Sequence, residues 1–158
     1  MRITTAAIAA GLAVGAGLAA PTAHAFEPKD LVDVRDHALK VLENNEVETA
    51  IDKLGEPNSK ALKLEGHGLH TWAFRDQGVI LWDHSGQAQE GMDISDLEGM
   101  SGLKVIADVK EHVKKGDDLV AWEDELPHPE TGQVQTSYVS CDTFASQKYV
   151  CAMAWFDE

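Results

Sequence analysis

Histidine and acidic side chains are the residues in this sequence that could carry out chemistry at a single site. The chain has seven His residues, among them His67 and His70, and Asp83 and His84 are adjacent. Such side chains are common zinc ligands, so these residues are candidates for a metal site. At a loop-to-strand junction, however, a spacing of three does not place His67 and His70 on one face. A secreted metal-dependent enzyme using His67, His70 and His84 is one alternative interpretation.

His128 is a further candidate metal ligand, and a second group of candidates is the acidic run Glu123-Asp124-Glu125. Paired carboxylates can act as general acid and base, but a charge run near a strand end is typical of a solvated surface. The sequence contains no HExxH, CxxC, calcium-loop, GxSxG, Walker or dinucleotide-binding motif. We therefore predict a protein that is not an enzyme and has no cofactor.

The aromatic residues are more informative than the titratable ones. Six of them lie in segments that resemble β-strands: Trp72, Phe74, Trp82, Trp122, Tyr138 and Trp155. Period-two geometry places Trp72 and Phe74 on the same face of their strand. Two interpretations are open, namely packing in the core and an aromatic-lined cavity for a small ligand.

The elements that would position these side chains follow from the hydrophobic pattern. Apolar residues at helical spacing predict a helix over residues 29–54, broken at Asn44-Asn45, and another from Leu103 to Gly116. Segments rich in β-branched and aromatic residues predict five strands, at residues 69–75, 79–83, 118–124, 133–141 and 148–156. Short turns between consecutive strands make them antiparallel. We expect an α+β domain in which helices cover one face of a five-stranded sheet.

The N-terminal residues resemble a secretory signal peptide rather than part of the fold. Met1-Arg2 precedes an apolar run of small residues that ends in Ala23-His24-Ala25, an A-x-A cleavage site. The run is short for a membrane anchor, which needs about 20 apolar residues. We predict cleavage after Ala25, export to a bacterial periplasm, a single domain over residues 26–158, and no membrane insertion after cleavage.

The net charge and the two cysteines set further limits. With 13 basic and 27 acidic residues, the formal net charge is −14, which argues against binding to nucleic acid or to an anionic membrane. In an oxidising compartment, Cys141 and Cys151 predict a disulfide. They flank a short polar stretch between two predicted strands, so a hairpin would place them opposite each other.

Several motifs, taken in order, resemble those of the single Cache domains of type 2, PAS-like extracytoplasmic sensor modules of bacterial receptors. These motifs are Glu43-Asn44-Asn45, the hairpin from Trp72 to His84, Gly91-Met92-Asp93, the segment from Trp122 to Gly132, and Ser137-Tyr138-Val139. The resemblance covers nearly all of the chain after the signal peptide. It implies a PAS/Cache-like fold with a long N-terminal helix, here in a freestanding secreted form.

The same resemblance implies a ligand pocket. By position, the pocket would be lined by Trp72, Phe74, His84, Trp122 and Tyr138. We expect ring stacking from the two Trp residues and hydrogen bonds from His84 and Tyr138. Gln135, which stands where the family often has a lysine, would supply a further hydrogen bond.

The function that we predict is non-catalytic binding and sensing of a small organic metabolite, either an acid or a neutral polar compound. The partner would be a membrane sensor kinase, a chemoreceptor or a transporter. Apart from the metal-dependent enzyme, the remaining alternative is a protein-interaction module whose pocket is closed.

Overall fold

The computed structural model describes residues 26–55, 68–86 and 88–156. In chain order, its elements are α1 (Asp30–Glu43), α2 (Val47–Gly55), β1 (His70–Arg75), β2 (Ile80–Asp83), α3 (Val105–Lys115), β3 (Val120–Pro127), β4 (Val134–Phe144) and β5 (Lys148–Trp155). Each predicted helix and strand is present, with boundaries that differ by a few residues. None of the helices within the described ranges is long and apolar enough to cross a membrane.

The break between α1 and α2 falls at the predicted pair of asparagines. The side-chain amide of Asn44 donates to the carbonyl of Lys40, and that of Asn45 donates to the carbonyl of Val41. The last turn of a helix leaves carbonyls without intrahelical partners. The amide of Asn45 supplies a partner for the carbonyl of Val41, and the amide of Asn44 adds to the bond that its own backbone N–H donates to the carbonyl of Lys40. The amide–carbonyl bonds therefore favour the end of α1 at this point.

The five strands form one antiparallel sheet in the order β2-β1-β5-β4-β3. The last strand in the sequence thus lies at the centre, between β1 and β4. Every residue of β5 from Val150 to Trp155 is buried, as expected for a strand that is covered on both faces. The predicted α+β class and five-stranded antiparallel sheet are confirmed.

The helices are divided between the two faces of the sheet. Ala152 and Ala154 of β5 lie in the core that contains α1 and α2. Met153 and Trp155, which point the other way, lie in the core that contains α3. The prediction that helices lie on one face of the sheet therefore holds for α1 and α2, whereas α3 lies on the opposite face. Its apolar stripe, which the sequence pattern reveals, does not indicate which face of the sheet it meets.

Residues 84–86 and 88–104, which we call the cover segment, follow β2 and precede α3 in the chain, and they run along the β2 edge of the sheet. The segment is held by backbone hydrogen bonds, including one of 2.9 Å from Ile94 N to Gly78 O. Gly78 has a φ of 84°, and a Cβ atom there would lie 2.8 Å from Ser95 Cα. Only glycine permits this approach without strain, so Gly78 helps to seat the cover segment against the sheet.

The predicted disulfide is present. Cys141 of β4 and Cys151 of β5 are directly opposite in the register, with their Cα atoms 4.1 Å apart. The bridge lies in the core on the α3 face. It links the central strand β5 to its neighbour β4.

Reduction of the Cys141–Cys151 bridge is expected to lower the free energy of unfolding by about 2–3 kcal/mol, because the bridge restricts the unfolded chain. Urea unfolding with and without a phosphine reductant would measure this difference. The double variant Cys141→Ala/Cys151→Ala is the control, since the reductant should not change its midpoint. An unchanged wild-type midpoint, with reduction verified by mass spectrometry, would contradict the prediction.

Candidate ligand site

A cavity of about 450 Å³ lies between the sheet and the cover segment, on the face that packs against α3. Its apolar lining consists of Trp72, Ile80, Ala88, Met92, Ile94, Leu97, Val105, Trp122, Leu126, Met153 and Trp155. The hairpin between β3 and β4 contributes Pro127, Pro129 and Gly132, and the polar lining residues are His70, Asp83 and His128. A largely apolar cavity of this volume with a few polar groups is typical of a small-molecule site.

Three indole rings line the cavity, and the N–H groups of two of them donate hydrogen bonds to acceptors of the protein itself. Trp122 Nε1 donates to Asp108 Oδ2 of α3 at 2.7 Å. Trp155 Nε1 donates to the backbone carbonyl of Leu126 at 3.0 Å. Because these N–H groups already have partners, both rings contribute apolar surface to the cavity in fixed orientations.

A polar cluster of His70, Asp83 and Ser85 occupies one side of the cavity. His70 Nε2 lies 2.6 Å from Asp83 Oδ1. The Ser85 hydroxyl donates to both carboxylate oxygens, at 2.9 and 3.0 Å. The backbone N–H groups of Ser85 and Ala88 donate to Oδ1 and Oδ2, at 2.9 and 2.7 Å. The carboxylate of Asp83 therefore has donors on both oxygens from within the protein.

The side chain of Asp83 is fully buried, yet it stays ionised. Burial by itself raises the pKa of a carboxyl group. The hydrogen bond and positive charge of His70, with the bonds from Ala88 and Ser85, outweigh burial and lower the pKa of Asp83 to about 2. The protein therefore stabilises the ionised form of Asp83 at the point where the cover segment begins.

The cluster contains Ser, His and Asp but lacks the geometry of a nucleophilic triad. In a triad, one imidazole nitrogen receives the nucleophile's proton while the other donates to the carboxylate. Here the same nitrogen, His70 Nε2, lies near both Asp83 and the Ser85 hydroxyl, which is 3.2 Å away. Ser85 also donates its proton to the carboxylate. This arrangement can anchor the cover segment but does not activate Ser85.

His128 lines the opposite part of the cavity, in the β3–β4 hairpin, and is 4% exposed. Its Nδ1 accepts hydrogen bonds from the backbone N–H groups of Glu130 and Thr131, at 3.1 and 3.4 Å. Nδ1 must therefore be unprotonated, and the neutral ring carries its proton on Nε2. The ring packs edge-on against Trp155, with centroids 5.5 Å apart. This holds its orientation.

Two of the six side chains that the sequence analysis predicted as ligand contacts, Trp72 and Trp122, line the cavity. Phe74 is on the same face but is completely buried and stacks on Tyr149, so it belongs to the core beside the cavity. Gln135 pairs with Leu126 and is half-buried, outside the lining.

His84 and Tyr138 lie away from the cavity. The ring of His84 is near Trp82, a residue of the core on the α1 face, with centroids 6.1 Å apart. Tyr138 packs on that same face against Phe156. The structure thus brings together the two tryptophans of the predicted set but not the histidine and the tyrosine.

Sequence reasoning did not assign a ligand-contact role to four other lining residues: His70, Asp83, His128 and Trp155. In the sequence, the three titratable ones are candidates only for a metal site. The sequence does contain a signal for His70 and Trp155. Period two places His70 on the same face as Trp72, and Trp155 ends a strand that the pattern predicts to be buried. Nothing in the sequence indicated that the β3–β4 hairpin would turn His128 toward these residues.

A metal site would need several ligating side chains at one place. Within residues 26–55, 68–86 and 88–156, no three His, Cys, Asp or Glu side chains are close enough to hold a metal ion. Of the three histidines in the metal-dependent alternative, His67 lies outside the described residues. His70 and His84 are directed toward different surroundings, namely Asp83 and Trp82.

The Asp83 cluster predicts a specific dependence of stability on pH. Because the pKa of Asp83 is lower in the folded state, its ionisation stabilises the fold above the unfolded-state pKa of about 3.9, and this is lost as the pH falls toward about 2. We expect Asp83→Asn to lower the free energy of unfolding by about 1–2 kcal/mol at pH 7, with a smaller difference near pH 2.5.

Urea unfolding at several pH values would measure this effect, with Asp96→Asn as the control for loss of one exposed negative charge. A difference between wild type and Asp83→Asn that stays constant from pH 7 to about pH 2.5 would show that ionised Asp83 is not the source of the stabilisation.

The sequence matches no protein-family model and no curated protein. Among solved structures, it is similar to a Cache chemosensory domain described for its recognition of carboxylic acid. The TM-score is 0.61 at 14% identity, over 82% of this chain and 92% of that chain. It is also similar to the periplasmic sensor domain of a chemotaxis protein, with a TM-score of 0.53 at 14% identity, over 82% of this chain and 88% of that chain. This chain therefore has the fold of a Cache domain.

Proposed function

We propose that this chain is a periplasmic sensory domain that binds a small organic molecule in the cavity under the cover segment and releases it unchanged. The observation that carries the proposal is the cavity itself, about 450 Å³ in volume and lined by three indole rings with a few polar groups. A core without a binding role would fill such a space, because protein interiors are close-packed.

Trp72 and Trp122 are the ligand contacts we propose from the predicted set, with Trp155 added by the geometry. Their rings would pack against the body of the ligand. The Cache chemosensory domain of similar fold, which recognises a carboxylic acid, supports a small organic compound as the ligand in general terms.

For such a domain to report on its ligand, another protein must recognise the bound state. We propose a membrane-embedded partner of the sensor kinase, chemoreceptor or transporter type. Similarity in fold to the periplasmic sensor domain of a chemotaxis protein supports a partner of this kind. The alternative of an interaction module with a closed pocket is not favoured, since it requires side chains to fill the volume found here.

Thermal-shift screening of the mature protein against small acids, amides, amines and alcohols should identify a stabilising compound. A ligand at 100 times its dissociation constant adds about 2.7 kcal/mol to the free energy of unfolding, which corresponds to a shift of several degrees. Trp122→Phe is expected to weaken binding of this compound by about tenfold, because the smaller ring loses contact area.

Trp82→Phe is the matched control, because Trp82 is also buried but lies on the α1 face. Both variants should unfold at lower temperature, but only Trp122→Phe should bind more weakly. Equal loss of affinity in the two variants, or no stabilising compound for a correctly folded protein, would contradict the proposal.

Export and cleavage form a separate part of the proposal. In a bacterial host, the full-length chain is expected to reach the periplasm and to be cut after Ala25. N-terminal sequencing of the purified protein should then begin at Phe26. Retention of Met1, or recovery only from the cytoplasm, would contradict this assignment.

A further inference from the structure

The polar groups of the cavity narrow the class of ligand it can hold. We propose that the cavity selects an uncharged molecule with an apolar body and a hydrogen-bond acceptor, and that His128 Nε2–H donates to this acceptor. The inference rests on the proposed function, since it names the ligand class for the same cavity. Three observations carry it: the state of His128, the saturation of Asp83, and the apolar walls.

His128 offers a donor and not a positive charge. Both backbone N–H groups that reach Nδ1 need an unprotonated nitrogen there, so the ring is neutral and its proton is on Nε2. Within the described part of the chain, Nε2 has no hydrogen-bond acceptor. A nearly buried N–H group without an acceptor carries a cost in free energy. A carbonyl or hydroxyl oxygen on a ligand would accept its hydrogen bond and remove that cost.

Asp83 is unsuited to hold a cationic ligand. Donors from His70, Ser85 and Ala88 already occupy its two oxygens. Its negative charge is also compensated locally when His70 is protonated, because His70 Nε2 is 2.6 Å from the carboxylate. An ammonium or amidinium group would have to displace these bonds before it could pair with Asp83.

An anionic ligand would also find no free partner in the His70–Asp83 pair. The positive charge that His70 can carry is directed at Asp83, and none of the lining residues in the described ranges is a Lys or Arg. The rest of the wall is aliphatic or aromatic. A carboxylate that left water for such walls would lose hydration without gaining a counter-ion, which is strongly unfavourable.

The test compares ligands that differ in charge but hardly in shape. Amides, carboxylates and amidinium ions would each be built on isopropyl, phenyl and indol-3-yl bodies, and their affinities for the mature wild-type protein measured by calorimetry. We expect the best amide to bind at least tenfold more tightly than the carboxylate and the amidinium with the same body.

His128→Asn tests the donor. Asparagine can place an acceptor oxygen where Nδ1 lies but has no atom at the position of Nε2, whereas glutamine can place an amide N–H near that position. We expect His128→Asn to weaken amide binding about tenfold, or about 1.4 kcal/mol. His128→Gln should restore part of it, and His37→Asn on the exposed face of α1 should have no effect.

Tighter binding of a carboxylate or an amidinium than of its amide would overturn the inference and leave the proposed function intact. Equal amide affinity in wild type and a folded His128→Asn variant would also overturn it. Binding of none of the nine compounds would overturn the inference and would count against the proposed function as well. If His128→Asn does not fold, the inference is tested by the affinities of the wild-type protein for the amides, carboxylates and amidinium ions.

Discussion

Strand β5 is buried on both faces, and the alternation of its side chains determines what each face of the sheet can do. Ala152 and Ala154 are small, so α1 and α2 can pack closely on their side. Met153 and Trp155 are large and form part of the cavity floor on the other side. A shift of one residue in the register of β5 would exchange these two sets and remove the cavity. The disulfide from Cys141 of β4 to Cys151 of β5 fixes this register.

The cavity depends equally on how its cover is held. In its described residues, the cover segment contains no helix or strand. Hydrogen bonds to β2 and to the β1–β2 turn hold it in place, together with the buried carboxylate of Asp83. Asp83 lies at the point where the chain leaves β2, so its bonds to Ser85 and Ala88 direct the first residues of the cover. Polar groups at this position thus have a structural role that leaves the binding surface largely apolar.

Much of the fold could be predicted from the sequence because its signals are local. The break at Asn44 and Asn45, the five strands and the facing cysteines each depend on neighbouring residues. Which face each element covers depends on long-range register, and here prediction was limited. Gln135 and Tyr138 are three apart in one strand, so period-two geometry already requires them to point to opposite faces. For His128, only the folded hairpin shows that two backbone N–H groups set the ring's tautomer.

The four tryptophans provide a direct test of whether the face of the sheet beneath the cover segment binds a small molecule. Trp72, Trp122 and Trp155 line the cavity, whereas Trp82 lies in the core on the opposite face. The ¹H–¹⁵N spectrum of the mature protein would be recorded during titration with the compound that stabilises it most. We expect the indole N–H signals of the three cavity tryptophans to shift together while that of Trp82 stays in place. Movement of the Trp82 signal alone, or saturable binding that leaves all three cavity signals unchanged, would contradict this expectation.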